Sequence, residues 1–322
     1  MKRVVVCCPG GVVTGGPELL HQFVDALRAR DIDAKILYTP FDTKFNITSA
    51  YIKYNISTLS YEDVTDNDVI IIPEVLTVMV NFFKKNKIYL WWLSVDNYFS
   101  SNPPGSLKAT IGHALHVLRG DKLPVYKLKD IRISHLVQSQ YAKDFLAKNS
   151  IKSTFLTDYL NTEHLEQEIK FSIKERKIAF NPKKGFECTQ KLISKNSDIE
   201  FVPIQNMTPV EVRALLQTSM IYIDFGNHPG KDRFPREAAM AGCCIITGRN
   251  GSAANANDIC IPDEFKLDSR SSSFENDFSI IVKKIMDNYH VYTKYYDKYR
   301  SVIASEREAF EGQVEAFVDF LK

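Results

Sequence analysis

The chain has 322 residues, 44% of them hydrophobic and 25% charged, and its 41 basic and 39 acidic side chains leave a formal net charge of +2. That length predicts two domains of about 150 residues, each able to bury a full core. The composition excludes a disordered chain, and the near balance of charge excludes nucleic-acid binding by bulk electrostatics.

Val4 to Cys8 is a continuous apolar run ending in Pro-Gly-Gly, the pattern of a central parallel strand followed by a turn. The Gly-rich loop Pro9 to Pro17 leads into helical periodicity over Glu18 to Arg30, with Leu19, Leu20, Phe23, Val24 and Leu27 on the apolar side. Ala34 to Tyr38 is the next expected strand. Val69–Ile72, Ile88–Leu93 and His135–Gln138 continue the series, and Gln140 to Lys148 reads as a helix. The composition turns polar around Asn161 to Lys177, the expected linker. A second alternation follows: strands at Ile178–Phe180, Glu200–Pro203, Met220–Asp224 and Cys243–Thr247, with helices at Glu187–Lys195, at Pro209–Thr218 and around Glu237. Two helical stretches, roughly Phe274–Ala304 and Ser305–Lys322, close the chain. Strands alternating with helices give α/β architecture with parallel sheets.

The six cysteines, Cys7, Cys8, Cys188, Cys243, Cys244 and Cys260, lack metal-ligand spacing. The adjacent pairs would face opposite sides of a strand, so reduced core residues of a cytoplasmic protein are expected. The apolar run after MKR is too short for a secretory leader, and Val69 to Phe83 is broken by Pro73 and Glu74, so any membrane contact would be peripheral.

Several positions carry chemistry. The loop PGGVVTGGP holds Thr14, Gly15 and Gly16 at the start of a helix, where glycine lets a ligand approach the backbone and the helix end favours negative charge. It matches neither the dinucleotide nor the P-loop spacing, and a plain tight turn is the alternative. Glu18 and His21 follow in the first turn, as capping or solvated groups. Lys183 and Lys184, in NPKKG, follow the first strand of the second half: a phosphate clamp or a solvated basic turn. Lys231 and Arg233 bracket Asp232, either to grip a diphosphate or to pair with that aspartate. Glu237 heads a small-residue helix segment, EAAMAG, and suits a ribose hydroxyl pair. Asp96 and Asn97 end the WWLSVDN strand, so Asp96 either positions or deprotonates an acceptor hydroxyl or caps the next turn; Pro73-Glu74 ends another strand the same way. His113 and His116 read as packing or exposed residues. The basic-apolar stretch Arg119 to Arg132 and Lys84, Lys85 and Lys87 would rest on anionic lipid or form a solvated face. Tyr289, Tyr292, Tyr295, Tyr296 and Tyr299 suit packing of the terminal helix on a core.

Three segments together resemble the GT-B glycosyltransferases, especially the retaining, group 1 type that use nucleotide sugars: VVVCCPGGVVTGGPELLHQF, SHLVQSQYAKDFLAKNSI and HPGKDRFPREAAMAGCCIITG. The resemblance implies two Rossmann-like domains facing across a cleft. It gives an acceptor domain at 1–165, a donor domain at 166–304, and a final helix, 305–322, crossing back to the first domain. It implies that Glu237 binds the ribose and that Lys183, Lys184, Lys231 and Arg233 bind the diphosphate. Gly15 and Gly16, with Thr14, would approach phosphate and sugar, and Asp96 would stand beside the transferred sugar. Asp96, Lys184 and Arg233 are the expected catalytic residues. The chain departs from the pattern eight positions before Glu237, where Pro229 replaces a second glutamate.

The expected function is therefore metal-independent sugar transfer from a nucleotide-diphosphate sugar, a co-substrate with no further cofactor. The acceptor would be a surface polysaccharide or lipid-linked oligosaccharide at the inner face of the membrane. A nucleotide-sugar epimerase and a non-catalytic nucleotide-sugar-binding partner of another transferase are the alternatives.

Overall fold

The computed structural model describes residues 2–166 and 168–321. Met1 and Lys322, at the ends of the expected domains, and Gln167, in the expected linker, lie outside them. The chain divides into two compact units, one of residues 1–158 with 308–322, the other of residues 159–307.

The first unit is built on a six-stranded parallel sheet in the order β2-β1-β3-β4-β5-β6. Its strands are β1 (Val4–Pro9), β2 (Ala34–Thr39), β3 (Val69–Pro73), β4 (Lys87–Trp92), β5 (Ile133–Val137) and β6 (Thr154–Phe155). The apolar runs form strands because a sheet covered on both faces needs no polar alternation: β1 and β3 are buried almost throughout. The helices are α1 (Gly15–Arg28), α2 (Val95–Tyr98), α3 (Leu107–Arg119) and α4 (Gln140–Lys148). α1 begins at Gly15, one turn earlier than the periodicity indicates, because Thr14 in extended conformation serves as its N-cap.

The second unit carries a four-stranded parallel sheet in the order β10-β9-β7-β8. Its elements are α5 (Thr162–Leu165), β7 (Glu175–Phe180), α6 (Phe186–Lys195), β8 (Glu200–Pro203), α7 (Pro209–Thr218), β9 (Ser219–Asp224), α8 (Arg233–Met240), β10 (Cys244–Thr247), α9 (Phe274–Asp287) and α10 (Tyr289–Tyr292). α7 starts with a reciprocal capping box between Thr208 and Glu211 and has proline in its first turn, which fixes its origin where the sequence indicates. The core of this unit packs Ile178, Ile221, Ile223, Ile245 and Ile246 against Phe278, Val282 and Ile285 of α9.

α11 (Asp297–Asp319) continues through the position where a break between two terminal helices is expected. The interruption falls earlier, between α9 and α11, where Asn288 leaves the helical region (φ −133°, ψ 39°). In the first unit, Phe317 of α11 packs edge-on against Phe23 and Tyr89, and Arg30 pairs with Glu311 at 2.7 Å. In the second unit Tyr289, Tyr296 and Tyr299 are buried, and the Tyr296 hydroxyl donates to the Ile245 carbonyl at 3.0 Å. Tyr295 is exposed. All six cysteines are free thiols. Burial pushes the Cys8 thiol up to about 12. Among the described residues no helix is long and apolar enough to cross a membrane.

Candidate functional site

In an open parallel sheet the chain reverses its direction of winding at one place, and ligands bind outside the carboxyl ends of the strands there. In the second unit this place lies between β7 and β9, the neighbours from which the chain proceeds to β8 on one side and β10 on the other. The turn Asn181–Gly185 leaves β7, and the loop 225–232 leaves β9. The two touch: a Cβ on Gly185, whose φ is +60°, would lie 2.6 Å from the backbone of Phe225 and Gly226. Glycine is required here by both conformation and space.

This contact holds Lys184 against the β9 loop. Its Nζ lies 2.7 Å from Asp232 Oδ2, and the same oxygen is 2.9 Å from His228 Nδ1. The other ring nitrogen of His228 lies 3.5 Å from Asp224 Oδ1. Asp224 also accepts from the Gly226 N–H at 3.0 Å and the Tyr222 hydroxyl at 3.3 Å. The result is a line of alternating charge, Asp224, His228, Asp232 and Lys184. Burial disfavours the His228 cation, yet Asp224 and Asp232 raise its pKa above the ordinary value. Burial likewise opposes ionisation of Asp232, and His228 and Lys184 overcome it, lowering the pKa. Asp224, His228 and Asp232 each bring a ligand atom within 4.8 Å of the others, close enough to hold a cation. The Lys184 ammonium already supplies positive charge at Asp232.

The second polar group surrounds α8. Arg236 is fully buried; its Nη1 donates to Glu306 Oε2 of α11 at 2.7 Å, and its other nitrogens donate to the carbonyls of Asp232 and Lys231. Lys231 Nζ lies 2.7 Å from the other oxygen of Glu306. One glutamate thus fixes the basic loop to α11. This corrects the expectation for Lys231, whose ammonium is held by a buried carboxylate; the partner lies far along the chain and local sequence gives no sign of it. Arg233 Nε is 3.5 Å from Glu237 Oε1, and His164 Nε2 is 3.7 Å from the same oxygen. Burial lowers the His164 pKa, so the ring approaches Glu237 as a neutral group. Glu237 itself is 8% exposed. Lys183 is exposed, and its N–H donates to Asn181 Oδ1 at 3.0 Å. Pro229 lies in this loop, whose turn is closed by the Ser252 hydroxyl donating to the Gly230 carbonyl at 2.5 Å.

The corresponding edge of the first unit lies between β1 and β3. Thr14 and Gly15 are exposed and Gly16 half-buried, and no side chain caps the amides of α1. Neither glycine has positive φ, and a Cβ on Gly16 would make only an ordinary 3.7 Å contact with Leu93. Glu18, expected as a cap or a solvated group, accepts from the Tyr54 hydroxyl at 2.9 Å and faces Lys53. His21 is buried instead, stacked on Tyr51 with its Nε2 2.8 Å from the Tyr38 hydroxyl. At the end of β3, Glu74 is buried and accepts from the Leu93 N–H at 2.9 Å. Burial pushes its carboxyl up to about 7, against that N–H and Lys122.

Asp96 needs the clearest correction. It has no exposed surface, and its Oδ1 accepts from the Tyr141 hydroxyl of α4 at 2.7 Å. Its position at the strand end is as expected; its side chain turns inward, because α2 starts immediately at Ser94, whose hydroxyl accepts from the Asn97 N–H. Asp96 ties α2 to α4 and is not presented to a substrate. The functional candidates missed in the sequence are His228, Asp224, Arg236, Glu306 and His164. A weak signal was available for two of them: an arginine inside a small-residue helix, and a histidine four residues before an aspartate.

No family model matches the chain. It is 23% identical over 268 residues to an α-1,6-glucosyltransferase of Actinobacillus pleuropneumoniae serotype 7 (strain AP76), covering 81% of this chain and 76% of that protein. The fold is similar to sucrose-phosphate synthase from Thermosynechococcus elongatus, with a TM-score of 0.68, 10% identity and coverage of 100% and 99% of the two chains. It is also similar to an E. coli structure described as trehalose-6-phosphate bound with UDP-2-fluoro glucose, with a TM-score of 0.62, 10% identity and coverage of 99% of each chain. The fold is GT-B, shared with solved structures that include WaaG, a glycosyltransferase involved in lipopolysaccharide biosynthesis, at a TM-score of 0.59 and 10% identity with coverage of 99% of each chain.

Proposed function

We propose that the protein transfers a sugar from a nucleoside diphosphate sugar to a hydroxyl of a polysaccharide or lipid-linked oligosaccharide, with retention at the anomeric carbon and without a divalent metal. The observation that carries this reading is the gathering of Lys184, Arg233 and the buried Glu237 at the switch point of the second sheet. Glu237 suits the vicinal hydroxyls of a ribose, each donating to a carboxylate oxygen. Lys184, with Arg233 at the start of α8, suits the diphosphate. As the glycosidic bond breaks, the leaving diphosphate gains negative charge. Cations aimed there stabilise the transition state more than the ground state.

Asp232 beside Lys184 would repel a diphosphate if it stood alone. The adjoining His228, whose pKa is raised by Asp224 and Asp232, offsets that charge when it is protonated, and Asp232 anchors the ammonium. The exposed Thr14, whose N–H donates to the Tyr51 hydroxyl at 3.2 Å, and the backbone of Gly15 and Gly16 are further proposed contacts for phosphate and sugar, and Lys183 a peripheral one. Lys231 serves to hold the loop. A lipid-linked acceptor would be met by a cytoplasmic protein resting peripherally on the inner membrane face. The relative's description as an α-1,6-glucosyltransferase supports glucose as the first sugar to test.

The test is incubation of the protein with a panel of nucleotide sugars, with and without glycan acceptors and with EDTA. Acceptor-dependent release of nucleoside diphosphate, unchanged by EDTA, is expected, with the product retaining the donor's anomeric configuration by NMR. Interconversion of sugars without acceptor would make the protein an epimerase. Binding without turnover would make it a partner of another transferase.

A further inference from the structure

Helix α3 is well formed at both ends yet buries almost nothing. The Ser106 hydroxyl accepts from the Ala109 N–H at its start, and Gly120 closes it in the left-handed region with φ 80°. Between these caps only Ala109 is buried, while His113 packs against Tyr98 and Phe99. Opposite that contact lie Leu107, Ile111, Leu115 and Leu118, which are 75%, 53%, 47% and 83% exposed. Their spacing of four, four and three residues puts them on one stripe. In α1 the equivalent stripe, Leu19, Leu20, Phe23, Val24 and Leu27, is completely covered. Single exposed leucines are ordinary, whereas four in a continuous row mark a surface that meets something.

The charges around the stripe say what it meets. α3 contains Lys108 and Arg119 and no carboxylate. On a helical wheel both cations fall beside Leu115, along one margin of the apolar row. The segment that follows exposes Tyr126, Lys127, Lys129 and Ile131. The acidic groups next in sequence are already engaged: Asp121 with His116 at 3.1 Å and Asp130 with Arg132 at 2.9 Å. An apolar row edged by cations, with an aromatic residue and lysines beside it, is the chemistry of a helix lying in the plane of an anionic lipid interface.

We infer that α3 is the element by which the protein docks on an anionic lipid surface, inserting Leu107, Ile111, Leu115 and Leu118 with Lys108 and Arg119 at the headgroups. This deepens the peripheral placement proposed above and does not depend on the donor chemistry.

The test is co-sedimentation of the full chain with vesicles of phosphatidylcholine alone or mixed with phosphatidylglycerol. Partition onto the phosphatidylglycerol vesicles is expected, weakening as salt rises. The variant Ile111→Asp with Leu118→Asp should lose at least about tenfold of that partition. Lys108→Glu with Arg119→Glu should lose the preference for anionic lipid. Because these side chains are exposed, melting temperatures should hold, and transfer to a water-soluble glycan without vesicles should be unchanged; absence of that transfer in every variant and the parent would count against the transferase reading alone. Equal partition of parent and variants, or none at low salt, overturns the docking proposal. A dimer in sedimentation velocity that the aspartate variants dissolve also overturns it, assigning the stripe to a second copy of the chain.

Discussion

The two sheets have the same winding and opposite chemistry at their carboxyl edges. In the first unit the edge offers backbone at the exposed residues Thr14 and Gly15, and Glu74, at the end of β3, is buried with its proton favoured by burial. In the second unit it is built from side-chain charge, Lys184, Asp232, Arg233 and Glu237 over the buried His228 and Arg236, with every carboxylate beside a basic group. At Asp232 the paired cations overcome burial and lower the pKa, whereas at Glu74 burial outweighs Lys122 and the Leu93 N–H. The fold supplies position in both units, and the neighbours decide what the position does.

The largest effect expected on this contrast comes from Glu306→Ala. It takes the carboxylate away from the fully buried Arg236 and from Lys231. Removing one partner of a buried pair costs about 3–5 kcal/mol, read as a drop in urea midpoint. A loss under 1 kcal/mol would mean that the pair does not hold the loop. Arg236→Met combined with Glu306→Leu should recover part of the loss, since the fully buried guanidinium is removed together with its carboxylate and only Lys231 loses a partner.

A smaller effect, of opposite sign, is expected from Glu74→Gln. A carboxyl whose folded pKa is raised binds its proton more tightly in the native state, so stability falls as pH rises from the ordinary carboxylate value, 4.5, towards about 7. Above that window the native state carries the full penalty. The glutamine variant should therefore be more stable than the parent at pH 8, by up to about 3 kcal/mol, with the gain shrinking towards pH 5. A gain that is the same at both pH values would show that Glu74 does not titrate in that window.

The smallest effect belongs to Gly16→Ala. The fold has room for the methyl group, and alanine in a helix gains about 0.5–1 kcal/mol over glycine. Melting temperature should hold or rise slightly while donor affinity falls, if a ligand lies against this backbone. Unchanged affinity would leave the second unit as the sole anion site.

Much of this was readable before any coordinates. Strands such as Val4–Cys8 and Val69–Ile72 announce themselves as apolar runs, and Gln140–Lys148 and Pro209–Thr218 carry their caps in the sequence. The positions of Lys184 and Asp96 followed from where strands stop, and that of Glu237 from its small-residue helix. Side-chain direction did not follow: Asp96 turns towards Tyr141, a partner 45 residues away. Nor did pairing over distance, as Lys231 and Arg236 meet Glu306 only because α11 returns across the second unit's core. His228 was hidden for the same reason. A lone histidine reads as packing until both of its ring nitrogens are seen beside carboxylates.

The central claim, that Lys184 binds a diphosphate at the edge of the second sheet, is tested most directly by calorimetric titration of wild type and Lys184→Ala with a nucleoside and with its diphosphate. The account predicts that wild type prefers the diphosphate. It predicts that the variant loses about 1.5–3 kcal/mol of that affinity, the worth of a hydrogen bond to a charged group, with nucleoside binding unchanged. Equal affinity of wild type for nucleoside and diphosphate, or a preference untouched by the substitution, would contradict it.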